Sequence, residues 1–157
     1  RRIGHARRCR SDGESLVFVD SNILVYAYDR TAGKKRAQAR VLLEGLWADE
    51  RGAVSVQVLE EFYVTVTQKV RTPLHRETAA SVVRDLAHWH VHAPVAEDVL
   101  GAIDLQGRHA LSFWDAMILW SASQLGCRVV WSEDLNPGKG HNGVEVINPL
   151  QGGVVSD

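Results

Sequence analysis

Short apolar runs, each followed by a helical pattern, constrain this chain more than anything else in it. Leu16-Val17-Phe18-Val19 is continuous apolar sequence that stops at Asp20-Ser21-Asn22. Ala53-Val54-Ser55, Trp89 to His92, Arg128-Val129-Val130-Trp131 and Val144-Glu145-Val146-Ile147 repeat the theme. Runs this short and this apolar suit strands buried on both faces. Between them the periodicity changes to helical. A helix is expected through Tyr28, and Lys35 to Trp47 places Ala37, Val41, Leu42 and Leu46 at helical spacing. Ser55 can cap a helix from Val56 to about Val70, and Thr72-Pro73 breaks it. Thr78 to Leu86 and Ala96 to about His109 read as further helices. Ser112 opens the most apolar helix, which runs through Gln124 and ends at Gly126. Asn136-Pro137-Gly138 is a turn. Strands alternating with helices imply a three-layer α/β/α sandwich with a central parallel sheet, joined by right-handed crossovers.

In such sheets ligands bind outside the carboxyl ends of the strands. Asp20 follows the first strand and Asp134 the fourth. Glu61 lies on the helix leaving the second strand, and Asp115 in the first turn of the apolar helix. Carboxylates about 5 Å apart repel by roughly 3 kcal/mol per pair at an effective dielectric near 20. A cluster of them therefore takes up protons or a divalent cation. An all-oxygen set suits Mg²⁺ or Mn²⁺, and no Cys/His set of zinc spacing competes with it. Taken singly, each acid also has a plainer role. Asp20 fits a strand-end Asx turn, Ser112-x-x-Asp115 a variant capping box, and Glu133-Asp134 ordinary loop polarity.

Length and charge narrow the field. The 157 residues fit one domain, and a net charge of −1 offers no global basic field for nucleic acid. Residues 1 to 15 carry Arg1, Arg2, Arg7, Arg8 and Arg10 and almost nothing large and apolar, so a disordered basic extension is expected there. The domain proper is expected over 16 to 150, with a loose tail at 151 to 157. Cys9 and Cys127 make no disulfide framework, which points to a reducing, cytoplasmic setting. No apolar run is long enough for a membrane span.

Four segments together resemble the PIN domain, and within it the VapC ribonuclease toxins of toxin–antitoxin pairs. They are Val17-Phe-Val-Asp-Ser-Asn-Ile-Leu-Val-Tyr-Ala, Ser55-Val-Gln-Val-Leu-Glu-Glu-Phe-Tyr, Leu111-Ser-Phe-Trp-Asp-Ala-Met-Ile and Trp131-Ser-Glu-Asp-Leu-Asn-Pro-Gly. They come in the family's order and span Leu16 to about Pro149, each carrying its acid. The resemblance implies a Rossmann-like fold and a divalent-metal endoribonuclease, with RNA as substrate. Residue by residue, Asp20, Glu61, Asp115 and Asp134 match the four family acids. Glu61 is chosen over Glu60 because the family acid directly precedes Phe-Tyr. Ser132 and Asn22 match the family's accessory polar positions. On this reading Asp20 and Asp115 are central Mg²⁺ or Mn²⁺ ligands, Asp134 and Glu61 bind directly or through water, and Ser132 and Asn22 orient them. A small cognate antitoxin and a homodimer are likewise implied by the resemblance alone.

Lys34, Lys35, Arg36, Arg40 and Arg71 are candidate phosphate contacts, with a solvated helix face as the alternative. His88, His90 and His92 alternate and are expected on the solvent side of their strand, with Trp89 and Val91 inward; a zinc site is the lesser reading. Trp114 and Trp120 are expected to pack, with base stacking by Trp114 as the alternative, and Cys127 reads as a small buried hydrophobe. Rival functions are a non-catalytic RNA- or protein-binding module of the same fold, a phosphotransfer domain with Asp20 as nucleophile, and a nuclease of RNA maturation or structured DNA. Asp20-Ser21-Asn22 lacks the second Asp that phosphotransfer sites use.

Overall fold

The computed structural model describes residues 15–137 and 141–150. The expected basic extension and loose tail lie outside these, save for Ser15, and so does Gly138 of the expected turn. The first strand, β1 (Val17–Val19), is wholly buried and pairs in parallel with β2 (Gly52–Ser55) on one side and β4 (Val129–Trp131) on the other. β3 (His90–His92) extends the sheet beyond β2, and β5 (Glu145–Ile147) beyond β4. All pairings are parallel, in the order β3-β2-β1-β4-β5.

That order dictates the layers. The chain steps from β1 outward to β3 in one direction, through α1 (Ser21–Tyr28), α2 (Lys34–Asp49), α3 (Val56–Val64) and α4 (Arg76–Leu86). It then returns across the sheet to β4 through α5 (Ala96–Arg108) and α6 (Phe113–Gln124). Right-handed crossovers of opposite direction put the first four helices on one face and the last two on the other. The contacts agree: α1 meets α2 and α3, α3 meets α4, and α5 meets α6. The direction reverses between β1 and β4, which makes the gap beyond their carboxyl ends the natural ligand crevice.

Local sequence explains the elements. Asp20, Ser55 and Ser112 each cap a helix by accepting a backbone N–H at its first turn, from Ser21, Val58 and Asp115 respectively. α3 runs on as one π-helical turn, Thr65–Lys69, and stops at Val70 as the sequence indicates. α6 ends because Gly126 takes a φ of +76°, which lets the Cys127 N–H reach back to the Ala122 carbonyl at 2.9 Å. The core joins Phe18, Val19, Ile23, Leu24, Val54, Val58, Phe62, Leu119 and Val130, all fully or almost fully buried. Cys127 is buried as expected, and burial pushes its thiol up to about 12.

Some expectations need correction. α2 buries Ala39, Leu43 and Leu46, an i, i+4, i+7 stripe, whereas Ala37 and Val41 face solvent. Two overlapping apolar stripes exist in that sequence, and the packing against α1 selects one of them. Trp120 packs as expected, half-buried with its indole N–H donating to Asp98 Oδ1 at 3.0 Å, but Trp114 is 63% exposed. His92 does not face solvent. Its Nδ1 lies 2.8 Å from Ser121 Oγ and its Nε2 lies 3.4 Å from Asp98 Oδ2. This Ser-His-Asp chain resembles a nucleophile relay, yet Ser121 is buried in α6, so its work is to tie β3, α5 and α6 together. His92 is therefore tied into this polar chain, while His88 and His90 are exposed.

Candidate active site

The crevice at the strand ends is built around Asp20. Its backbone N–H donates to the Trp131 carbonyl at 2.9 Å, extending the β1–β4 pairing by one residue and fixing where the carboxylate emerges. Asp20 Oδ1 caps α1 by accepting from the Ser21 N–H at 2.7 Å. Oδ2 accepts from Ser132 Oγ at 2.8 Å and from Asn22 Nδ2 at 3.2 Å. Asp20 is buried, and that burial pushes its carboxyl up from an ordinary 3.8 to about 6. The Ser132 and Ser21 hydrogen bonds oppose the rise, and the negative charges of Glu61 and Asp134 add to it.

Asn22 knits the acids together. Two residues past the cap, its Nδ2 reaches Asp20 Oδ2 and Asp134 Oδ2, each at 3.2 Å, and Ser132 Oγ at 3.4 Å. Its Oδ1 accepts the Glu133 N–H at 3.1 Å. Ser132, fully buried, also accepts from the N–H groups of Asp134 and Leu135, at 3.2 and 3.1 Å, and so shapes the turn that presents Asp134. Glu61 approaches from α3. Its Oε2 accepts from Ser21 Oγ at 3.0 Å and its Oε1 from Gln57 Nε2 at 2.9 Å, while Glu60 is exposed.

Asp20, Asp134 and Glu61 thus belong to one hydrogen-bonded network. Asp115 lies in the first turn of α6. Its backbone N–H is capped by Ser112 Oγ at 3.1 Å, but its carboxylate does not make the reciprocal half of a capping box. Its tie to the others is indirect: Gln57 Nε2 reaches the carbonyl of the neighbouring Trp114 at 3.5 Å. Among the described residues, no three Asp, Glu, His or Cys side chains are drawn together closely enough to hold an ion as they stand. The chemistry of the set nonetheless fits a hard divalent cation. All donors are oxygens, and the central carboxylate is one whose charge is disfavoured by burial and by its acidic neighbours.

Sequence reasoning passed over Ser21 and Gln57. Gln57 sits one turn before Glu61, and that i, i+4 spacing was the available signal. Ser21 carries no signal beyond its place between Asp20 and Asn22. Lys35, one of the candidate phosphate contacts, pairs its ammonium with Glu133 at 2.9 Å.

The PIN domain family matches residues 17–137 of this chain. The chain belongs to the PIN-domain family. Membership in this family of nucleases supports a nuclease role. No curated protein matches the chain in sequence. Among solved structures, a toxin–antitoxin complex from Klebsiella pneumoniae superposes with a TM-score of 0.63 at 21% identity, over 86% of this chain and 98% of that one. VapBC2 from Rickettsia felis, bound to a DNA fragment from its promoter, gives 0.59 at 17% identity, over 84% and 97%. The Mycobacterium tuberculosis VapC20, a toxin that cleaves the sarcin-ricin loop, gives 0.55 at 18% identity, over 75% and 89%. At these identities the superpositions establish the shared PIN fold. No helix among the described residues is long and apolar enough to cross a membrane.

Proposed function

We propose that this PIN-domain protein is a divalent-metal-dependent endoribonuclease and the toxin of a toxin–antitoxin pair. The observation that carries the reading is Asp20: a buried carboxylate at the topological switch point, crowded by Glu61 and Asp134 and oriented by Ser132 and Asn22. Asp20 and Asp115 would be the central ligands of Mg²⁺ or Mn²⁺, with Asp134 and Glu61 completing the set directly or through water. When bound, such an ion would ease deprotonation of a water, giving a hydroxide-like nucleophile for the phosphodiester, and would supply positive charge to offset the phosphate.

The chain's own residues do the rest. Ser132 and Asn22 hold the Asp20 carboxylate in one orientation by hydrogen bonds to Oδ2. Ser21 and Gln57 do the same for Glu61. Burial of Asp20 keeps bulk water from screening it, which strengthens its attraction for a cation. The toxin assignment is supported by the structural likeness to toxins and toxin–antitoxin complexes. A small antitoxin covering the cleft follows from it. A homodimer is supported by apolar side chains left in solvent on one face: Val95, Val99, Leu100 and Ile103 at α5, with Trp114 nearby on α6.

The test is cleavage of single-stranded RNA with Mg²⁺ or Mn²⁺, by the wild-type protein and by Asp20→Asn. Metal-dependent cleavage by the wild type alone is expected. Equal cleavage by both overturns the site; no cleavage with any divalent ion leaves a non-catalytic binding module. Growth arrest on expression, relieved by a short neighbouring reading frame, separates a toxin from a nuclease of RNA maturation.

A further inference from the structure

We propose that Lys35 and Tyr26 are positioning residues: through Glu133 they hold the acid-bearing turn after β4 against α1, and so set where Asp134 meets Asn22 and Asp20. The inference rests on the nuclease reading for its consequence, and on geometry for its substance. Glu133 Oε1 accepts from the Tyr26 hydroxyl at 2.6 Å and from Lys35 Nζ at 3.1 Å, and Oε2 accepts from Lys35 Nζ at 2.9 Å. Lys35 Nζ also lies 3.4 Å from the Tyr26 hydroxyl and 4.9 Å from the centre of its ring. One residue's backbone and side chain are therefore held at once, since the Glu133 N–H donates to Asn22 Oδ1.

The turn needs such a hold. β4 is only three residues long, and residues 132–137 form no regular element. Asp134 is exposed, and among the described residues Asn22 Nδ2 is the side-chain donor that meets it. Asn22 in turn is oriented partly by the Glu133 N–H. Displacing Glu133 would thus move the acceptor of one Asn22 bond, at Asp134, and the donor of another, the Glu133 N–H. Glu133 also adds a negative charge next in sequence to Asp134, and the Lys35 ammonium offsets it. Exposed ion pairs add little stability on average. Geometry is a different matter, because small misplacements of reacting groups are costly to rate.

Three measurements decide it. In the metal-free protein, hydrogen exchange at the Glu133 amide should quicken in Lys35→Ala and Tyr26→Phe, with β1 and β2 unchanged. By calorimetry, both variants should bind Mn²⁺ about 3- to 10-fold more weakly, below the roughly 10- to 100-fold typical of groups bonded directly to metal ligands. Lys35→Arg should restore most of both. In cleavage assays kcat should fall while KM for RNA and the salt dependence of binding stay as in the wild type. Unchanged Glu133 exchange in both variants overturns the proposal. So does a Lys35→Ala protein whose defect is confined to a shallower salt dependence of RNA binding, which would make Lys35 a phosphate contact. If the wild type takes up no Mn²⁺, the metal reading fails, and the exchange measurement alone still decides the clamp.

Discussion

Ser132 Oγ donates a 2.8 Å hydrogen bond to Asp20 Oδ2, joining residues 112 positions apart in the chain across the switch point of the sheet. The same hydroxyl accepts the Asp134 and Leu135 N–H groups. One buried oxygen therefore orients the central acid and shapes the turn that carries another. Ser132→Ala should cost about 1–3 kcal/mol of stability, since it strands buried partners. It should also raise the Asp20 carboxyl further, because that hydrogen bond holds it down. Denaturant unfolding measures the first effect, and carboxyl titration by NMR the second.

Asp20 makes the metal-free protein pH-sensitive in a defined direction. Its carboxyl rises from 3.8 to about 6 on folding, so the folded state holds a proton that the unfolded chain has released. The stabilisation from that proton is fully present below about pH 4 and is lost as pH rises through 6. The difference is worth roughly 3 kcal/mol at most. Asp20→Asn should remove this dependence, so the wild-type minus variant stability should fall by about that amount from pH 4 to 7. A flat difference would mean that Asp20 titrates normally. Added Mn²⁺ should reverse the trend by stabilising the wild type at neutral pH and not the variant.

Asn22→Ala removes the group that touches Asp20, Asp134 and Ser132 and accepts from Glu133. Its expected cost is roughly 10- to 100-fold in metal affinity or cleavage rate, the range for groups that orient ligands. Asp20→Asn should cost more. Calorimetry with Mn²⁺ and single-turnover cleavage would rank the two.

Gly101 tests packing against helix propensity. It lies in α5, where alanine would ordinarily gain up to about 1 kcal/mol. A Cβ there would fall 2.2 Å from the Trp120 ring, and overpacking of that kind costs about 1–3 kcal/mol. Gly101→Ala should therefore destabilise, read as a lower Tm. A stabilised variant would mean that Trp120 yields easily.

Cys127 should be inert to thiol reagents in the folded protein, because it is buried and its thiol is pushed up to about 12. In a Cys9→Ser background, labelling at pH 8 should proceed only as fast as the protein opens. Rapid labelling without denaturant would contradict the packing around α6.

The fold was legible because its signals are local. Val17-Phe18-Val19, Val129-Val130-Trp131 and the serine caps at Ser55 and Ser112 specify strands and helix starts from neighbouring residues alone. Asp20 and Asp134 lie just past β1 and β4 as expected, since the apolar run before each fixes where the chain leaves the core, while Glu61 lies on α3 and Asp115 in the first turn of α6. Misreadings fell where two local answers were equally good. α2 carries two apolar stripes, and His92 alternates with its neighbours as a solvent-facing residue would, yet it points into a polar pocket made by Ser121 and Asp98.

Local pattern was enough to say which elements form and that acids stand just past β1 and β4, because backbone propensity and hydrophobic period are properties of short segments. Which polar groups meet was settled by packing: Asn22 bridges Asp20 and Asp134, Ser21 and Gln57 hold Glu61, and Lys35 pairs with Glu133. Such pairings join segments far apart in the chain and depend on sheet order and helix placement to within an ångström, which no local pattern encodes.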